Sequence, residues 1–280
     1  SINSKKIYHR FKGNLIQAEN IPTKSEIESF WKNIWTKESI FNKDSVWLRD
    51  IEKNYCQNVT VKEYEINEVV VEKAINKLQL SKAPGRDCIV GYWFKKLTFY
   101  RSGLLNLFRK TLQEETELPC WLSLAKTILI PKCEETNLAK NYRPIACLNV
   151  MYKLYTNCLN QFISDHVIVN NIIALEQAGG KSGVWGTLEQ LLLNKHILKE
   201  ARECRCNLFT IWLNYQKAFD SVSHEWLIHA LRLAKIPSKI VSSIEKLSKS
   251  WATILHLSGE SLSVKCDTIK CNKGIFHGDS

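Results

Sequence analysis

Apolar positions recur at helical spacing over most of this chain, and a few short apolar runs between them read as strands. Ser25-Glu-Ile-Glu28 has the form of a capping box. It predicts a helix start ahead of Phe30, Trp31, Ile34 and Trp35. Otherwise the first sixty or so residues are mixed and weakly periodic. Ile66, Val69, Val70, Ala74 and Leu78 restore the helical period. That helix must end near Ser81, because Pro84 and Gly85 break it. Trp93 to Gln113 reads as one or two amphipathic helices, and Met151 to Val169 as a single helix. Trp185 to Glu203 sets Leu188, Leu191, Leu192, Ile197 and Leu198 against Lys195, Lys199 and Arg202, the pattern of a core helix with a wet face. Helices from His224 to Lys235 and from about Ser238 to Ser248 flank Pro237.

Ala125 to Ile130 is a strand of β-branched residues closed by Pro131-Lys132. Leu208 to Leu213 is too short for a helix and bulky enough for a buried strand. It ends at polar Asn214. A turn follows with Lys217, Phe219 and Asp220, then a helix opened by Ser221 or Ser223. Strand, polar tip, turn and helix together place a reactive side chain at a sheet end. Trp251 to Leu257 and Leu262 to Ile269 predict a hairpin around Ser258-Gly259-Glu260.

Composition narrows the partners. The chain is 45% hydrophobic and 24% charged, which places it among globular proteins. Its 39 Lys and Arg against 28 Asp and Glu leave +11, an excess that favours a polyanion such as nucleic acid. The basic start (Lys5, Lys6, Arg10 and Lys12) is a solvated face or a phosphate contact. Ten cysteines do not form a disulfide framework in a chain this long with no signal-peptide pattern. Cys204-Arg-Cys206 and the Cys266, Cys271 pair lack zinc spacing. The expectation is reduced, mostly buried thiols in an intracellular protein. No apolar run approaches the ~20 residues of a membrane span.

Three segments carry candidate binding chemistry. Lys82-Ala-Pro-Gly-Arg-Asp87 is a tight turn that can aim Lys82 and Arg86 at phosphate. Pro144 holds Arg143 in extended backbone, which suits capture of a phosphate or carboxylate. Glu176 to Gly183 contains glycines and Lys181 but lacks the phosphate-loop pattern.

Taken in order over about residues 64 to 280, these motifs resemble the reverse transcriptase domain of LINE-type (non-long-terminal-repeat) retrotransposons. The resemblance rests on Lys-x-Pro-Gly-x-Asp at Lys82, Ile-Pro-Lys at Ile130, Tyr-Arg-Pro-Ile at Tyr142 and Tyr-Lys at Tyr152. It continues with a Gln-x-Gly loop at Gln177, the first palm motif from Asn214 to Val222, and the start of the next palm motif at Gly274. It implies an α+β right-hand polymerase. Residues 1–62 would be a helical extension, 63–203 a fingers-type region, and 204–280 a partial palm cut within its second motif. The implied partners are an RNA template, a DNA primer and deoxynucleoside triphosphates, and the implied reaction is RNA-templated DNA synthesis.

The resemblance also implies roles by position. Lys132 and Arg143 would touch the triphosphate, and Phe219 would lie under the sugar. His277, standing where the family has glutamine, and Gly278 would border the nucleotide. Lys82, Arg86, Gln177 and Lys181 would meet the nucleic acid. In the family an aspartate at the position of Asn214 and the backbone at the position of Tyr215 hold Mg²⁺. Two such ions ~3.5–4 Å apart activate the attacking oxygen and steady the leaving group. Magnesium is held by carboxylates, whereas the Asn214 amide brings no charge. Asp220 lies six residues on and is not the family's ligand. No Asp-Asp pair occurs in the chain, and the Tyr-x-Asp-Asp segment would fall beyond Ser280. The expectation is a catalytically dead, truncated domain. Two other readings stay open, a retained nucleic-acid-binding module and a decayed copy without function.

Overall fold

In the computed structural model, residues 21–37, 42–54, 59–80, 82–113, 118–174, 176–179, 186–258 and 263–275 are described. Helix α1 (Lys24–Trp35) is capped by Thr23, whose hydroxyl accepts from Glu26 while the Glu26 carboxylate takes the Thr23 N–H. The capping box therefore begins two residues before the one expected at Ser25. Trp31 stacks on Trp35 with ring centroids 4.8 Å apart, and Ile27, Trp31 and Trp35 form its buried face. Helices α2 (Val46–Asn54), α3 (Glu68–Lys77), α4 (Gly91–Lys96) and α5 (Arg101–Leu112) follow. Asn67 caps α3 by accepting from Val70 at 3.1 Å.

Four strands form one mixed sheet in the order β2-β1-β3-β4. Strand β1 (Leu124–Pro131) pairs antiparallel with β2 (Tyr142–Cys147) and parallel with β3 (Ala252–Ser258), and β3 pairs antiparallel with β4 (Ser263–Lys270). The expected hairpin forms; its tip lies outside the described residues. Strand β2 is an edge, where the missing N–H of Pro144 costs no interior ladder bond. Helices α6 (Val150–Val169), α7 (Thr187–Glu203), α8 (His224–Leu233) and α9 (Ser238–Ser250) complete the chain, with Ser223 capping α8. One hydrophobic core runs from Trp31 of α1 through α3, α5, α6 and α9 to Leu255 and Ile269 of the sheet. Among the described residues no helix is long and apolar enough to cross a membrane.

Three expectations are overturned. The thiols are not mostly buried: of the nine described cysteines, Cys88, Cys120, Cys133, Cys204 and Cys206 are exposed, because they sit on loops, turns and the unpaired segment and not on core faces. Leu208 to Leu213 is not a strand: it pairs with nothing among the described residues, and Phe209, Ile211 and Leu213 are 91%, 82% and 81% exposed. Strand propensity describes fit to a half-buried pleated surface, and without a ladder partner a bulky run has nothing to fit. Helix α7 forms but buries none of its described side chains, so its leucines line a wet surface. Its period predicted the helix and not its partner.

Candidate active site

The turn after Tyr215 is built from local hydrogen bonds and then fastened by two distant segments. Phe219–Ser221 is one short 3₁₀ turn, closed by Ser221 N–H donating to Ala218 O at 3.3 Å and shared with Lys217 O at 3.1 Å. Lys217 itself sits at φ +50°, the left-handed region that reverses the chain here. The segment after β4 lies along this turn. Gly274 N–H donates to Val222 O at 2.7 Å, Ile275 N–H to Phe219 O at 3.0 Å, and His224 Nε2 meets Gly274 O at 2.8 Å. Gly274 has φ +86°, and a Cβ there would stand 3.0 Å from Asp220 O. Only glycine permits that approach without strain.

Helix α1 closes the other side. The Trp35 indole N–H donates to Asp220 Oδ1 at 3.0 Å, and Trp35 O accepts from Asn272 and Lys273 at 2.9 and 3.2 Å. The Lys217 ammonium stands 4.2 Å from the Phe30 ring centroid and 4.3 Å from that of Trp31. It is buried and makes no hydrogen bond among the described residues. Burial lowers its pKa to about 8; the Asp220 carboxylate opposes that shift and the Lys132 ammonium adds to it. Asp220 also lines a cavity of about 20 Å³ with Trp35, Thr127, Pro144, Cys271 and Gly274. Burial pushes the Cys271 thiol up to about 12.

Lys132 follows β1, its N–H bonded to Asn141 O at 2.8 Å. Arg143 pairs with Ile130 across the ladder, so the register sets Lys132 and Arg143 on one face of β1 and β2. Both are exposed. Pro144, next to Arg143 in β2, lines the same small cavity as Asp220. The Phe219 ring is 55% exposed.

Other expected residues stand elsewhere. Asn214 and Tyr215 are exposed on the unpaired segment. The Lys82–Asp87 turn is pinned to the start of α6, because a Cβ on Gly85 would lie 2.2 Å from Asn149 Oδ1. The Asn149 amide also donates to Trp121 O at 2.9 Å. Lys82 borders a separate pocket of about 560 Å³ with Lys77, Lys153, Leu148 and Trp251. Arg86 is exposed on the same turn. Gln177 donates to Gly179 O at 3.1 Å. Lys181, His277 and Gly278 lie outside the described residues.

A two-magnesium centre does not fit the donors present. Among the described residues no group of three or more His, Cys, Asp and Glu could hold a metal ion. Asn214 is neutral, and the one acidic side chain of the turn is engaged by Trp35. Sequence reasoning missed the α1 contacts. The only signals were the four-residue spacing of Trp31 and Trp35 and a lysine in the turn.

The reverse transcriptase (RNA-dependent DNA polymerase) family matches residues 130–271. The chain is similar to a probable RNA-directed DNA polymerase from transposon BS of Drosophila melanogaster, 27% identical over 188 residues, 66% of this chain and 20% of that protein. It is similar to the transposon TX1 uncharacterized 149 kDa protein of Xenopus laevis, 25% identical over 191 residues, 67% of this chain and 14% of that protein. It is also similar to a retrovirus-related Pol polyprotein from the type-1 retrotransposable element R2 of Nasonia vitripennis, 27% identical over 159 residues, 55% of this chain and 14% of that protein. The chain thus spans a fifth or less of the length of these relatives.

Proposed function

The chain belongs to the reverse transcriptase (RNA-dependent DNA polymerase) family, in its LINE-type form, and from that premise we propose that it retains the nucleotide and nucleic-acid surface of a right-hand polymerase while performing no RNA-templated DNA synthesis. In this reading its residues make a fingers region and a partial palm. What supports it is the pair of exposed cations Lys132 and Arg143 on one face of the β1–β2 ladder, with Pro144 of that ladder lining one cavity with Asp220 of the turn. Two exposed cations on adjacent strands, next to a turn whose backbone is fixed, suit the phosphates of a deoxynucleoside triphosphate. Phe219 then borders the sugar, and His277 with Gly278 the rest of the nucleotide. Lys82, Arg86, Gln177 and Lys181 take the RNA template and DNA primer.

Turnover fails for reasons of charge. The family is divalent-metal dependent, and the position of its aspartate holds Asn214. Asp220 turns toward α1 and is bonded to Trp35. The purified chain is therefore expected to give no primer extension on an RNA template with Mg²⁺; extension above background overturns the inactive reading. It is expected to bind a fluorescent deoxynucleoside triphosphate, and Lys132→Ala or Arg143→Ala should each weaken binding roughly 10- to 100-fold, the range for a charge-assisted hydrogen bond. Wild-type affinity in both variants would sink the nucleotide site.

A further inference from the structure

The geometry points to helix α1 as a clasp on the site's turn, with Lys217, Trp31 and Trp35 acting as positioning residues for the bound triphosphate. This inference rests on the nucleotide-site reading and extends it to a helix that lies upstream of the matched residues 130–271.

Two contacts join α1 to the turn, and a third joins the end of α1 to the segment after β4. The Phe30 and Trp31 rings receive the Lys217 ammonium at 4.2 and 4.3 Å. An ammonium buried without any hydrogen-bond acceptor is costly, and the negative faces of two aromatic rings are what compensate it here. The Trp35 indole holds the Asp220 carboxylate at 3.0 Å. The Trp35 carbonyl takes the N–H groups of Asn272 and Lys273, and Thr36 O takes the Asn272 amide at 3.1 Å. Those residues directly precede Gly274, whose N–H is bonded to Val222. Helix end, turn and post-β4 segment therefore form one three-way joint.

The clasp is itself anchored away from the site. Lys24 reaches Asp267 at 2.9 Å, and Glu28 accepts from the Asp267 N–H at 2.8 Å, which fastens α1 to β4. Trp31 is fully buried in the core. The turn thus inherits the rigidity of the sheet through α1. The clasp also holds the Lys217 ammonium against two rings, away from solvent, while Lys132 after β1 stays exposed. A phosphate is then offered the exposed lysine after β1 and not the one in the turn.

The test uses the whole 280-residue chain. Lys217→Met keeps side-chain length and removes the cation. Lys217→Arg keeps a cation that stacks on aromatic faces. Trp35→Phe keeps a ring and removes the indole donor. Hydrogen exchange is read on the peptide covering 216–222, and affinity with a fluorescent deoxynucleoside triphosphate. Lys217→Met and Trp35→Phe are expected to raise exchange and weaken nucleotide binding about tenfold each, the scale of a desolvated cation–π or charged hydrogen bond. Lys217→Arg is expected to restore both. Unchanged exchange in Lys217→Met overturns the clasp. Faster exchange with unchanged affinity leaves a structural clasp and overturns the positioning role. Absence of triphosphate binding in the wild type overturns the nucleotide reading and the positioning role with it, and the exchange data separate that failure from failure of the clasp.

Discussion

Glycines show best how single positions decide this structure. Gly274 meets the backbone of Asp220 and sits at φ +86°, so Gly274→Ala adds both a contact of 3.0 Å with a carbonyl oxygen and a strained backbone. Such strain costs ~1–3 kcal/mol. Gly103, near the start of α5, has nothing within 4 Å of where a Cβ would be. There alanine only improves helix propensity, by up to ~1 kcal/mol. Urea unfolding should move in opposite directions for Gly274→Ala and Gly103→Ala; loss of stability at both, or at neither, would contradict this local geometry. Residue identity was legible wherever chemistry and backbone coincide. Arg143 was readable as an extended cation because Pro144 follows it. Lys217 was not, because its role depends on two rings nearly two hundred residues upstream, and nothing in its own neighbours announces them.

At the scale of elements, period predicts type well and partner poorly. β1, the β3–β4 hairpin and α8 formed where their patterns placed them. β2 was legible only as one extended arginine, since Tyr142 to Cys147 is too short and too mixed for a period-two signal. The Leu208–Leu213 run was misread because its apolar character says it can be buried, not that a ladder exists to bury it. Its exposure can be tested by substitution. Trp212 is 75% exposed, so Trp212→Lys should change unfolding free energy by less than ~0.5 kcal/mol. Leu255 of β3 is fully buried, and Leu255→Ala should cost ~2–5 kcal/mol. Comparable losses in the two variants would mean that the run is packed after all. A run of this kind is also an association hazard, so Trp212→Lys should raise solubility, as read by light scattering.

For the whole molecule, charge was the most legible property and the least specific. An excess of 39 − 28 = +11 draws the chain to polyanions without saying where they lie. The structure places four of the candidate cations. Lys132 and Arg143 share one ladder face, while Lys82 and Arg86 sit on a turn pinned to the start of α6 by the close packing of Gly85 on Asn149. If Lys82, Arg86 and Lys181 all meet RNA phosphates, three contacts on single-stranded RNA give a log–log salt slope of roughly −2.1. Affinity should then fall about 20-fold between roughly 50 and 200 mM salt. Replacing Arg86 or Lys82 by alanine should reduce the slope by about 0.7 each and weaken RNAs of unrelated sequence equally, because phosphate contacts carry no sequence information. A titration of fluorescent single-stranded RNA at several salt concentrations measures both quantities. Binding that ignores salt, or a slope that survives loss of these cations, would place the nucleic acid on another face. The basic surface would then be a general property of the composition, and the Lys132–Arg143 ladder would act on nucleotides alone.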